Sequence, residues 1–99
     1  MKILAIEKEL PGASPDAFTQ RILEEEAARA WTLYQDGVIR ELYFRPDRRE
    51  AVLVLEADGV EQARAALATL PLARERLIEF EIIPLAAYPG FERLFSRRK

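Results

Sequence analysis

The chain has 99 residues, nearly half of them apolar and about a third charged, with a formal net charge of -2. That balance fits one folded domain of ordinary size and offers nucleic acid no basic surface. There is no cysteine and no histidine, which excludes disulfide and thiolate chemistry and removes the commonest metal ligand and the commonest neutral-pH base.

No apolar run approaches the roughly 20 residues of a membrane span. The opening MKILAIEKEL turns charged too early for a secretory leader, so a cytoplasmic location and no membrane partner are expected. Asparagine is absent and charges are many, the pattern of heat-adapted proteins; a GC-rich codon bias gives the same composition. The closing SRRK is expected to be a solvated tail.

Lys2 to Lys8 is expected as the first strand, ended by PGASP. Ser14 suits an N-cap and Pro15 the first helical position, so a helix should run from there to about Gln35, with Gly37 as its closing residue. Leu23, Ala27, Ala30 and Tyr34 form its apolar stripe, widened by Phe18 and Trp31, the last expected in the core with a pocket wall as the alternative. Glu24, Glu25, Glu26 and Arg29 should cover the wet side. Val38 to Arg45 is the second strand, RPDRRE a turn, and Ala51 to Ala57 the third strand. Asp58 and Glu61 have the spacing of a capping box for a second, Ala-rich helix that Leu70-Pro71-Leu72 ends. Leu77 to Ile83 is the fourth strand.

This βαββαβ order predicts an α+β, ferredoxin-like domain over residues 1–99, with a four-stranded antiparallel sheet and both helices on one face. Ile78, Phe80 and Ile82 are wholly apolar and should face the helices. Leu77, Glu79, Glu81 and Ile83 then share the uncovered face, with Ile3, Ala5 and Glu7 of the first strand and Val52, Val54 and Glu56 of the third. A second copy laid sheet to sheet would cover that face and enclose a pocket with carboxylates in it.

Three stretches carry a resemblance: GVIRELY (Gly37 to Tyr43), LPL (Leu70 to Leu72) and FEIIPLAAYPG (Phe80 to Gly90). In order and spacing they resemble muconolactone delta-isomerase and its relatives, of the dimeric alpha+beta barrel class. The resemblance implies a homodimer or larger homo-oligomer, with residues 85–99 as an extension reaching onto a neighbouring subunit. It also implies a proton shift on a lactone or similar small organic acid, with no cofactor and no metal. The isomerase has histidine and arginine on its first strand, where this chain reads ILAIE, and a histidine where this chain has Glu41.

The residues that could do such work are few. Glu7 and Glu41 are the base candidates, one on the first strand and one in the histidine's place; Glu7, Glu79 or Glu81, desolvated, would have a raised pKa. Arg40 matches the family motif and could grip a carboxylate, with an ion pair across the sheet as the alternative. Tyr43 could donate to a carbonyl oxygen or simply pack at an interface. It stands in opposite strand phase to Arg40 unless a bulge intervenes. Glu81 completes the expected substrate-binding set; the alternative for the face carboxylates is pairing with arginines at a rim. The competing function is a non-catalytic ligand-binding or oligomeric interaction module on the same scaffold.

Overall fold

Residues 1–95 are described by a computed structural model; the SRRK end lies outside them. The elements are β1 (Lys2–Glu9), a 3-10 turn (Pro15–Ala17), α1 (Gln20–Gln35), β2 (Ile39–Phe44), β3 (Ala51–Glu56), α2 (Val60–Leu67), α3 (Pro71–Arg74), β4 (Ile78–Pro84) and a second 3-10 segment (Pro89–Leu94). The strands form one sheet in the order β2-β3-β1-β4, every neighbouring pair antiparallel. This is the ferredoxin-like α+β arrangement.

Register decides which residues share a face. Ile3 stands between Leu55 and Pro84, and Ala5 between Leu53 and Ile82. Ile3, Ala5, Leu53 and Leu55 form one buried cluster with Leu33 of α1 and with Ala63 and Leu67 of α2, and Ile82 packs against it, so both helices cover the same side. As expected, Ile78, Phe80 and Ile82 belong to the helix side, and Val52, Val54, Glu79 and Glu81 to the other. The expectation for β1 is overturned. Ile3 and Ala5 are fully buried under the helices, and Glu7, opposite Phe80, shares their phase. The outer face of β1 is Lys2, Leu4, Ile6 and Lys8.

The stripe on α1 is also rotated by about one residue. Leu33 is the buried residue of this helix, with Ile22, Glu26, Arg29 and Ala30 half-buried, a 22-26-29-33 spacing that points inward. Leu23, Trp31 and Tyr34 are exposed, and Trp31 stacks on Tyr34 at 5.6 Å instead of entering the core.

Local chemistry explains the element ends. Thr19, not Ser14, caps α1, its hydroxyl accepting from the Ile22 N–H; Ser14 caps the 3-10 turn before it. Gly37 has φ 82 just past α1, where a side chain would be strained. The capping box expected at α2 does not form, and no side chain caps this helix. Gly59 is the N-cap, and Asp58 exchanges hydrogen bonds with Gln62, while Glu61 lies near Arg64. Pro84 ends β4. Beyond it Leu85, Tyr88, Phe91, Leu94 and Phe95 are all exposed. The molecule is 65 Å long, well over the ~24 Å of a 16-residue helix, so this segment projects from the body. Gly90 is buried beneath the Tyr88 ring, where a Cβ would overlap the ring atoms.

Candidate active site

The β1–β3 ladder stops at Ile6↔Val52, whereas the β1–β4 ladder continues to Glu9↔Ile78. Where β1 leaves β3, side chains take over the backbone bonds. The Ala51 N–H donates to Glu7 Oε1 at 3.1 Å, and the Glu9 N–H donates to Glu50 Oε2 at 3.1 Å. Two carboxylates thus wedge the strands apart while keeping buried backbone donors satisfied.

The wedge opens into a cleft of about 730 Å³ between the sheet's helix side and α1. Its walls are apolar: Phe18, Leu23, Leu42, Phe44, Leu70, Leu72 and Phe80. Glu7 and Glu9 enter from β1, Glu26 from α1, and Arg48 and Arg49 stand on the β2–β3 turn. The size and lining suit a small organic molecule.

Glu7 and Glu26 are perturbed in the same direction. Burial raises the pKa of Glu7 above the usual carboxylate range. The Ala51 N–H opposes this, and the charges of Glu26, Glu50 and Glu9 add to it. Burial likewise raises Glu26, against the Leu72 N–H, which it accepts at 2.9 Å, and the charge of Arg74. Leu72 lies in the first turn of α3, whose N-cap Leu70 has no side chain able to cap, so Glu26 supplies that acceptor from a different helix.

A stability prediction follows from the sign. A carboxyl whose folded pKa is raised binds more protons folded than unfolded between the two values, so stability falls as pH rises through that window. Glu26→Gln keeps the acceptor for Leu72 but removes the charge. It should melt higher than the parent at pH 7, with the gap closing as pH falls to the unfolded value of 4.5. Calorimetry across this range checks it.

Of the five site residues expected from sequence, Glu7 lies inside the cleft. Tyr43 borders it, but its hydroxyl donates to Glu41 Oε1 at 2.7 Å, which raises the tyrosine's pKa. Glu41 and Tyr43 pair with Val54 and Val52 and so stand together on the outer face. Glu81 is there too, near Lys8 at 3.7 Å. Arg40 is the bulge residue of β2, between Ile39↔Leu55 and Glu41↔Val54. Its Nε donates to the Gly37 carbonyl at 2.7 Å, at the end of β2 remote from the cleft. The single chain has its cleft on the helix side, whereas the pocket expected between two sheets would need a second copy.

Glu9, Glu26, Arg48 and Arg49 are charged cleft residues that the sequence did not single out. Glu26 could have been found from the inward spacing with Ile22 and Leu33. The arginines carry no local signal beyond their place in a turn. Among the described residues, no group of three or more His, Cys, Asp or Glu is placed to hold a metal ion, and no helix is long and apolar enough to cross a membrane.

The family model for muconolactone delta-isomerase matches residues 3–90. The chain belongs to the muconolactone delta-isomerase family. Among solved structures, a crystal structure of muconolactone isomerase is similar at a TM-score of 0.74 and 22% sequence identity, over 91% of this chain and 93% of that one. At that identity the likeness establishes the fold. No curated protein is significantly similar in sequence. The family match includes every cleft residue and ends at Gly90, so the exposed Phe91, Leu94 and Phe95 lie beyond it.

Proposed function

We propose that the protein binds a small lactone or similar organic acid in the cleft under α1 and shifts a proton within it, with no cofactor. Glu7 is the base. One of its oxygens is held by Ala51, and the other makes no hydrogen bond among the described residues. Glu26, whose protonated form is favoured by burial, is the partner that donates to the oxygen on which negative charge develops. The observation that carries this reading is the pair of half-buried carboxyls, both with raised pKa, in one apolar cleft. Such a pair divides acid and base work when its members ionise at different pH. Removing a proton beside a carbonyl and returning it at another carbon needs a base near the carbon and a donor near the oxygen. The family's namesake substrate is of this type.

The test is to incubate the protein with muconolactone in deuterium oxide and follow the ligand by NMR. Deuterium entering the carbon beside the carbonyl, or migration of the double bond, is the expected result. Binding without exchange would favour the non-catalytic ligand-binding module instead.

We also propose that a second copy covers the outer sheet face, where Leu4, Ile6, Val52, Val54 and Ile83 are half-buried among charged neighbours. Covering apolar area is worth about 25 cal/mol per Å², enough across a sheet face to hold two chains together. Sedimentation equilibrium should give a dimer at micromolar concentration. The double variant Ile6→Glu, Val54→Glu should run as a folded monomer, and a parent that is itself monomeric would contradict the idea.

A further inference from the structure

The β2–β3 turn carries three arginines, and two are already committed. Arg45 makes a two-pronged contact with Asp47, at 3.0 and 2.7 Å. Arg48 Nε lies 3.2 Å from Glu50 Oε1, and Glu50 is buried. Arg49 makes no ion pair among the described residues, yet it lines the cleft. Its backbone is in the left-handed region at φ 56. The turn is closed by Arg49 N–H donating to the Arg45 carbonyl at 3.0 Å and Arg45 N–H donating to the Glu50 carbonyl at 2.8 Å. In such a hairpin turn the left-handed position is ordinarily glycine, which adopts it without steric cost. An arginine there spends backbone strain on keeping a long cationic side chain at the mouth of the cleft.

The interior poses a problem for any anionic ligand. Glu7, Glu9 and Glu26 line it, the charge of Glu50 reaches Glu7 from behind, and Arg48 is committed to Glu50. A carboxylate on the ligand would be repelled by the charges of Glu9 and Glu50 and by Glu7 once it is ionised as the base, and would sit best at the mouth, against a cation.

We propose that Arg49 is the specificity-determining residue of the cleft: it holds the carboxylate of a small organic acid at the mouth, so that the rest of the ligand points inward toward Glu7. This rests on the cleft reading above and names the ligand group and the residue that selects it. A guanidinium suits the role because it meets a carboxylate with two parallel N–H donors.

The experiment is isothermal titration of muconolactone and its methyl ester into the parent, Arg49→Gly and Arg76→Gly. Arg76 is the control. It is also an exposed arginine at positive φ, 60°, but it does not line the cleft, so its replacement removes the same charge and a similar strain. The parent should bind the acid at least about tenfold more tightly than the ester, as a charge-assisted pair predicts. Arg49→Gly should lose about tenfold or more for the acid and leave the ester within about twofold. It should melt no lower than the parent, because glycine relieves the left-handed strain. Arg76→Gly should bind both ligands as the parent does.

Equal affinity of the parent for acid and ester, an Arg49→Gly protein that keeps the preference, or equal losses in the two variants would each overturn the assignment while leaving the cleft reading in place. If neither ligand binds the parent, the cleft reading fails and takes the assignment with it.

Discussion

Replacing Glu7 with glutamine lowers the rate of proton exchange into the ligand by about 10²–10⁴-fold, the usual contribution of a positioned base. The substitution is nearly isosteric, and the amide oxygen can still accept from the Ala51 N–H that holds Glu7 Oε1 at 3.1 Å. The wedge between β1 and β3 therefore survives and only the proton acceptor is lost. Two pH profiles separate this role from a structural one. Because burial raises the Glu7 pKa, the parent's rate should rise with pH through a midpoint above the ordinary carboxylate value of 4.5 and then level off as the base becomes ionised. Stability runs the other way. The folded state holds the proton more tightly than the unfolded one, so stability is lost as pH rises through the same window. Glu7→Gln should therefore be more stable than the parent at neutral pH while being nearly inactive. A variant that exchanges at the parental rate would place the base elsewhere.

Leu55→Ala should destabilise the fold by about 2–5 kcal/mol, the range for a large-to-small change in a packed core. Leu55 is 1% exposed and stands between Ile3 and Ile39 in the register, so no neighbour can collapse into the space without breaking the ladder. Val54→Ala, one residue away and in the opposite phase, should cost far less in the single chain. If a second copy covers the outer face, its cost should grow with protein concentration as the dimer forms. Urea midpoints at two concentrations distinguish the two sites. Equal costs at both would contradict the face assignment.

The architecture was legible because the strong signals are local. Proline at 84, glycine at 37 and the Leu70-Pro71-Leu72 break end elements by steric rules that need no partner. In β4 one phase is wholly apolar and the other alternates glutamates with apolar ends, so its orientation follows from the strand alone. β1 gives no such choice. Ile3 and Ala5 in one phase are matched by Leu4 and Ile6 in the other, and the pairing of Glu7 with Phe80 is what breaks the tie. The α1 stripe failed for a related reason. Alanines at 27 and 30 add little area, so two neighbouring phases are nearly equal until Leu33 meets the sheet.

The site was less legible than the fold. Glu26 is held by the Leu72 N–H, 46 residues away in sequence, and nothing near it in the chain announces that contact. Arg40 fitted a motif, but the bulge at its position turns its side chain back onto Gly37. Glu7 was singled out as a base for its place on β1, and the structure gives it different surroundings: a helix-side cleft shared with Glu26 instead of a chamber between two sheets.

The central claim is that ligand chemistry resides under α1 and not on the outer sheet face. Backbone amide NMR during titration with muconolactone tests it most directly. Saturable shifts should concentrate at Glu7, Glu26, Arg49, Ala51 and Leu72, around the cleft and its wedge. Shifts confined to Glu41, Glu79, Glu81 and the other residues of the uncovered face, or none at saturating ligand, would contradict it.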